Sequence, residues 1–189
     1  MSESGRRTYL LIDGENLDAT LGVNVLQHRP APDERPRWEK VLTYVGGVWE
    51  QPVTALFFLN ASSGHLPMSF VQALTAIGYR SIPLAGPPDV KVVDVGIQRT
   101  LEAIVERDAD VVLGSHDVDF FGQVQDLLHA EGRRVALLGF TEYMNSAYSE
   151  LAAAGLATFD LEHDAKAFTK PLPRIRILDI AAFDPAEFL

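Results

Sequence analysis

One pattern constrains this sequence more than any other. Short runs that are apolar throughout alternate with stretches whose apolar residues recur at helical spacing. The runs are Tyr9 to Ile12, Pro52 to Leu59, Arg80 to Leu84, Asp110 to Gly114 and Arg134 to Gly139, with Leu156 to Phe159 as a sixth. Each is short, rich in β-branched, aromatic or aliphatic residues, and bounded by turn residues such as Asp13-Gly14, which is how strands buried on both faces read. Between them Trp38, Val41, Leu42, Val45, Val48 and Trp49 step by three and four, as do Leu66, Phe70, Leu74 and Ile77. Ile97, Leu101, Ile104 and Val105 form a third stripe, and Phe120, Val124, Leu127 and Leu128 a fourth that Gly132 is expected to stop. Buried strands separated by amphipathic helices predict an α/β fold: a doubly wound, mostly parallel sheet with helices on both faces.

Three segments break the pattern. Gln27 to Arg37 holds three prolines and reads as a loop after a short first helix; residues 85–90, with Gly86-Pro87-Pro88, read as another. Residues 161–189 carry Pro171, Pro173 and Pro185 around the run Ile175-Arg176-Ile177-Leu178. We therefore divide the chain into a domain over residues 1–165 and an extension over 166–189, either an edge strand or a partner-binding tail through which copies of the chain would associate.

Composition removes several function classes. At 189 residues the chain has the length of one domain, and it contains no cysteine. A disulfide framework, a thiolate zinc site and a Cys nucleophile are thereby excluded. No apolar run approaches the roughly 20 residues a membrane helix needs. Arg6-Arg7 superficially suggests a twin-arginine signal, but Leu10-Leu11-Ile12 runs straight into Asp13-Gly14-Glu15 and leaves no apolar region. The expectation is a soluble, cytoplasmic protein. Sixteen basic residues against 26 acidic ones give a net charge of −10, which argues against a simple electrostatic binder of phosphate backbones. Carboxylates gathered around a divalent cation would nevertheless attract phosphates locally.

The strand map shows where the carboxylates fall. Asp13 follows the first strand; Asp117 and Asp119 follow the fourth, in Gly114-Ser115-His116-Asp117-Val118-Asp119-Phe120; Asp94 opens the third amphipathic helix. Open parallel sheets bind ligands beyond the carboxyl ends of their strands. Taken singly, Asp13, Asp94 and Asp119 read as caps or turn residues. Their concurrence at strand ends reads better as a cluster that a cation compensates. All-oxygen ligands suit Mg²⁺ or Mn²⁺, ions that serve phosphoryl chemistry by polarising phosphate and activating water. No P-loop, no dinucleotide-binding G-x-G-x-x-G and no nucleophile elbow is present. An aspartyl-phosphate phosphatase would want a second Asp where Asp13-Gly14-Glu15 supplies Glu.

In that order along the chain, Leu11-Ile12-Asp13-Gly14-Glu15-Asn16, Lys91-Val92-Val93-Asp94-Val95 and Ser115-His116-Asp117-Val118-Asp119-Phe120 resemble the motifs of the NYN domain, the LabA-like branch of the PIN-like nuclease fold. The resemblance spans roughly residues 8–160. It implies a PIN-like three-layer architecture and a Mg²⁺- or Mn²⁺-dependent ribonuclease-like site acting on single-stranded or structured RNA. Asp13, Asp94, Asp117 and Asp119 would be its catalytic, metal-holding carboxylates, and Asn16 would orient an acid or touch substrate. Around that cluster Lys91 is expected to meet a phosphate, Ser115 to donate to a phosphate or a carboxylate, and Arg99, which follows Asp94 on the same helix, to join them in binding substrate phosphate. The remaining arginines, Arg6, Arg7, Arg107, Arg133, Arg134, Arg174 and Arg176, read as ordinary surface.

Two positions depart from the family pattern. His116 replaces the usual Gly of the third motif, where its bulk would narrow the cleft or its ring shuttle a proton. Thr100 stands where a further Asp is common, and losing that acid would weaken metal binding. These departures motivate an alternative, a catalytically weak RNA- or protein-binding module of the same fold. A small-phosphoester phosphatase is the third reading.

Overall fold

The computed structural model describes residues 5–175 and 177–189. The predicted strands form β1 (Arg7–Asp13), β2 (Val53–Asn60), β3 (Tyr79–Leu84), β4 (Ala109–Gly114), β5 (Val135–Gly139) and β6 (Ala157–Asp160). The helices are α1 (Gly14–Thr20), α2 (Trp38–Val48), α3 (Met68–Ala76), α4 (Val92–Val105) and α5 (Phe121–Leu128). The strands make one sheet in the order β3-β2-β1-β4-β5-β6, and every neighbouring pair is parallel.

That order places the site. The chain builds outward from β1 to β3 on one side, then returns to lay β4 against the other side of β1. Right-handed crossovers put the helices of the two halves on opposite faces. Period-two alternation serves both faces: Leu10, Ile12, Val112 and Leu138 pack with Leu17, Val41, Val45 and Leu74 from α1, α2 and α3. Leu11, Val111, Leu113 and Leu137 pack with Ile97 and Leu101 of α4 and Val124 and Leu127 of α5. Each fully buried Leu or Ile contributes about 1.5–3 kcal/mol, which is why these strands had to be apolar on both faces. Adjacent β1 and β4 run outward to opposite sides, and this is the switch point where such sheets open a crevice.

Several boundaries differ from the sequence expectation. α3 begins after Pro67, so Leu66 lies outside it, and Phe120 belongs to a 3-10 turn (Val118–Phe120) that precedes α5. α5 ends at Leu128; Gly132, with φ +72°, turns the chain towards β5 rather than capping the helix. α1 continues as a π-helical turn over Leu21–Leu26.

The division at residue 165/166 falls inside packed structure. Ala165 and Ala167 are in the core, Phe168 and Leu172 pack against it, and Arg174 is buried. Exposed chain begins at Ile175. Arg176 lies outside the described residues; Ile175, Ile177 and Leu178 of the same run pair with no strand. Among the described residues no helix is long and apolar enough to cross a membrane.

Candidate metal centre at the sheet switch point

Asp13 is both the last residue of β1 and the N-cap of α1. One carboxylate oxygen accepts the Asn16 N–H at 3.2 Å, the other accepts the Ser115 hydroxyl at 3.0 Å, and the residue is only 2% exposed. Burial pushes its pKa up to about 6; the two hydrogen bonds oppose the shift, and the negative charges of Asp94 and Asp117 add to it. No Lys or Arg pairs with it among the described residues. Asp117 caps the turn after β4, its Oδ1 accepting the Asp119 N–H at 3.0 Å, while its own N–H donates to Ser115 Oγ at 3.2 Å. The buried Tyr148 hydroxyl donates to the Asp117 carbonyl at 2.6 Å and fixes the turn from below.

Asp94 enters from the first turn of α4. Its pKa is raised by burial, against which Lys91 works. The Lys91 ammonium lies 3.1 Å from Asp119 Oδ2 and 3.4 Å from Asp94 Oδ2, and its own pKa is raised first by Asp119. Gln98 Nε2 donates to the Asp119 carbonyl at 3.0 Å. One carboxylate oxygen each from Asp94, Asp117 and Asp119 lie within 4.8 Å of one another. Oxygens on opposite sides of Mg²⁺ are about 4.2 Å apart, so this set closes on one hard cation by small shifts or through its waters. The donor chemistry fits Mg²⁺ or Mn²⁺.

The carboxylates open into a cleft of about 390 Å³ that Asp13, Asn16, Lys91, Asp94 and Asp117 line together. Glu15, Asn60 and Asp89 line it as well, and sequence reasoning passed over all three. Asn60 was findable, because it ends β2 at the same sheet edge; Glu15 and Asp89 gave no signal beyond proximity to a motif.

Not every expected residue arrives. Arg99 is exposed, makes no hydrogen bond or ion pair among the described residues and does not line the cleft. Five helical residues from Asp94 is a rotation of roughly 140° away from it. The Ser115 hydroxyl is engaged by Asp13 and Asp117, so of its two expected roles the structure shows the one towards a carboxylate. Thr100 returns its hydroxyl to the Gly96 carbonyl of its own helix. Several arginines read as surface are instead structural: Arg6 and Arg134 bind Asp110, Arg133 binds three backbone carbonyls, and Arg174 holds Asp160, Glu142 and Glu162.

Neither expectation for His116 holds. Its ring stacks on Phe140, the residue after β5, with centroids 5.8 Å apart and planes 10° from parallel, and it does not line the cleft. Burial lowers its pKa to about 4, so it stays neutral where a shuttle would need to titrate.

No protein-family model matches this sequence, and no curated protein does. Among solved structures the chain is similar to a Vibrio parahaemolyticus protein of unknown function, at TM-score 0.64 and 20% identity over 87% of this chain and 98% of that one. That likeness shows the fold: α/β, with a six-stranded parallel sheet between helical layers.

Proposed function

We propose that this protein is a Mg²⁺- or Mn²⁺-dependent ribonuclease-like enzyme that hydrolyses RNA phosphodiesters at the crevice between β1 and β4. The observation that carries the reading is the convergence of Asp94, Asp117 and Asp119 on one small volume, beside a buried Asp13 with no basic partner among the described residues. Four carboxylates with only the exposed Lys91 beside them repel one another, and a bound cation removes that repulsion. The NYN resemblance supports the same four residues.

Asp94, Asp117 and Asp119 would hold the ion, with Asp13 behind them. A divalent cation there supplies charge stabilisation at the scissile phosphate and an acidified water. The chain's own groups do the rest. Ser115 and the Asn16 N–H hold Asp13 in place, and the Asp119 N–H does the same for Asp117. Lys91 brings a mobile positive charge to the rim. A cytoplasmic RNA partner goes with this reading, as does association of copies through the exposed apolar residues from Ile175 onward.

The test is cleavage of a labelled single-stranded RNA in Mn²⁺ or Mg²⁺, comparing the wild type with Asp117→Asn. Asparagine keeps the shape and the turn and removes one negative ligand. The expected loss exceeds the roughly 10- to 100-fold that even an outer partner of a metal ligand contributes. Equal activity in the two proteins overturns the reading. RNA binding without cleavage transfers it to the binding module, and turnover of a chromogenic phosphate ester alone transfers it to a phosphatase.

A further inference from the structure

Two backbone donors fix the side chains of His116 and Asn16 without ambiguity. The Phe140 N–H points at His116 Nε2, 2.8 Å away, so Nε2 is the bare nitrogen and Nδ1 carries the ring proton. The His116 N–H points at Asn16 Oδ1, 2.8 Å away, so the amide oxygen, not the NH₂, is the atom on that side. His116 Nδ1 lies 3.0 Å from the same oxygen and 3.1 Å from Thr20 Oγ1. The Asn16 oxygen thus accepts from two N–H groups of one residue. Its NH₂ has no partner among the described residues, and Asn16 lines the cleft beside Asp13 and Asp94.

The ring is itself confined. It stacks on Phe140, and a Cβ at position 139 would lie 2.5 Å from Nε2, so Gly139 supplies the space in which His116 lies. A side chain held this way does not reorient at ordinary cost.

We propose that His116 locks the Asn16 amide with its NH₂ turned into the cleft, which makes Asn16 a donor to a non-bridging phosphate oxygen and His116 its positioning residue. The proposal rests on the ribonuclease reading for its ligand. It accounts for His116 at a position where the resemblance leads one to expect glycine: a backbone N–H alone would hold the amide oxygen once, and the imidazole adds a second hold. A donor placed at the edge of a carboxylate cluster favours an oxygen-rich anion that a cation has brought in, because its hydrogen bond to a charged oxygen is stronger than one to a neutral acceptor.

Two measurements test it. Ring ¹⁵N shifts of His116 in the wild type are expected to show the neutral Nδ1–H form; an Nε2–H form overturns the lock. Affinity for a labelled oligouridylate is then measured with Ca²⁺ in place of Mn²⁺, alongside binding of Mn²⁺ alone. Asn16→Asp keeps the His116 contacts and reverses the polarity of the cleft side; it is expected to weaken RNA binding by about tenfold or more without weakening Mn²⁺ binding. A drop in Mn²⁺ affinity instead would make Asn16 an orienter of the acids and overturn its phosphate role. His116→Ala is expected to weaken RNA binding roughly fivefold in the wild type and not at all in an Asn16→Ala background. An equal loss in both backgrounds makes His116 merely structural. If the wild type binds neither Mn²⁺ nor RNA, the ribonuclease reading falls and the phosphate role with it. If it cleaves RNA while the double-mutant coupling is zero, only the positioning role falls.

Discussion

The carboxyl edge of this sheet carries two groups of acids that look alike by composition and behave oppositely. At β5 and β6, Asp160, Glu142 and Glu162 close around Arg174, whose side chain is 2% exposed and whose guanidinium lies 2.6 Å from Asp160 Oδ2 and 3.0 Å from Glu162 Oε2. There the arginine holds the Asp160 carboxyl well below its usual range and lowers that of Glu142 as well, against the burial that would raise both. At β1 and β4, Asp13, Asp94 and Asp117 have only the exposed Lys91 at their rim, and burial holds Asp13 and Asp94 above the usual range. One group contains its own cation. The other has no buried cation among the described residues, only Lys91 at its exposed rim. Acidity alone does not separate the two; the buried arginine does.

The comparison is broken most forcefully at Arg174. Removing it leaves Asp160, at 3% side-chain exposure, with two further acids and no compensating charge. Arg174→Ala is expected to lower stability by roughly 3–5 kcal/mol, the usual cost of breaking a buried pair from one side. Urea unfolding of the two proteins at neutral pH checks it. A change under about 1 kcal/mol would mean that the clamp is as dispensable as a surface pair.

Asp13 sharpens the comparison with the opposite sign. Its folded pKa of about 6 lies above the 3.8 it has when unconstrained, so between those values the folded state binds more protons than the unfolded one. Stability of the metal-free protein therefore falls as pH rises through this window and levels off above it. Asp13→Asn removes that slope and is expected to stabilise the metal-free protein at pH 7.5 by up to ~3 kcal/mol, with much less gain at pH 4. Mn²⁺ should reverse the preference: it binds the carboxylate form, so its stabilisation of the wild type grows between pH 5 and 7. Thermal melts at three pH values, with and without Mn²⁺, read both effects. A metal-independent melting temperature would remove the distinction between the two acid groups.

How much of this was legible in the sequence follows from which interactions are local. Runs such as Leu10-Leu11-Ile12 and the stripe Ile97, Leu101, Ile104 announce their elements because burial on a face imposes a period. The acids at strand ends were legible for the same reason: the place of a strand end in the fold follows from the topology. Arg174 was not, because its meaning depends on partners 12 to 32 residues away that converge only in the folded chain. His116 was misread for a related reason. Position in a motif says that a residue is near the cleft, and only the backbone of Phe140 says which way its ring goes. The boundary at 165/166 was set by a shift in composition, whereas the packing of Ala167 and the burial of Arg174 extend the domain past it.

The smallest expected effect concerns the cation that the open group does possess. Lys91 lies 3.1 Å from Asp119 and 3.4 Å from Asp94, but its side chain is 71% exposed, so solvent screens it and no large share of stability rests on it. Its ammonium nevertheless occupies the negative potential that a divalent ion would use. Lys91→Met is therefore expected to strengthen Mn²⁺ binding by about two- to fivefold while weakening RNA binding at saturating Mn²⁺ by a similar factor. Arg99→Ala, which removes an equal charge from α4, about two turns past Lys91 and on a face turned away from the cleft, should change neither. Calorimetric Mn²⁺ titration and RNA binding, run on both variants, separate the cases: opposite signs at Lys91 and no response at Arg99 place the effect in the cleft. Equal responses from the two would reduce it to the net charge of α4, and the open acid group would then differ from the clamped one only in lacking an arginine, without being tuned for an arriving ion.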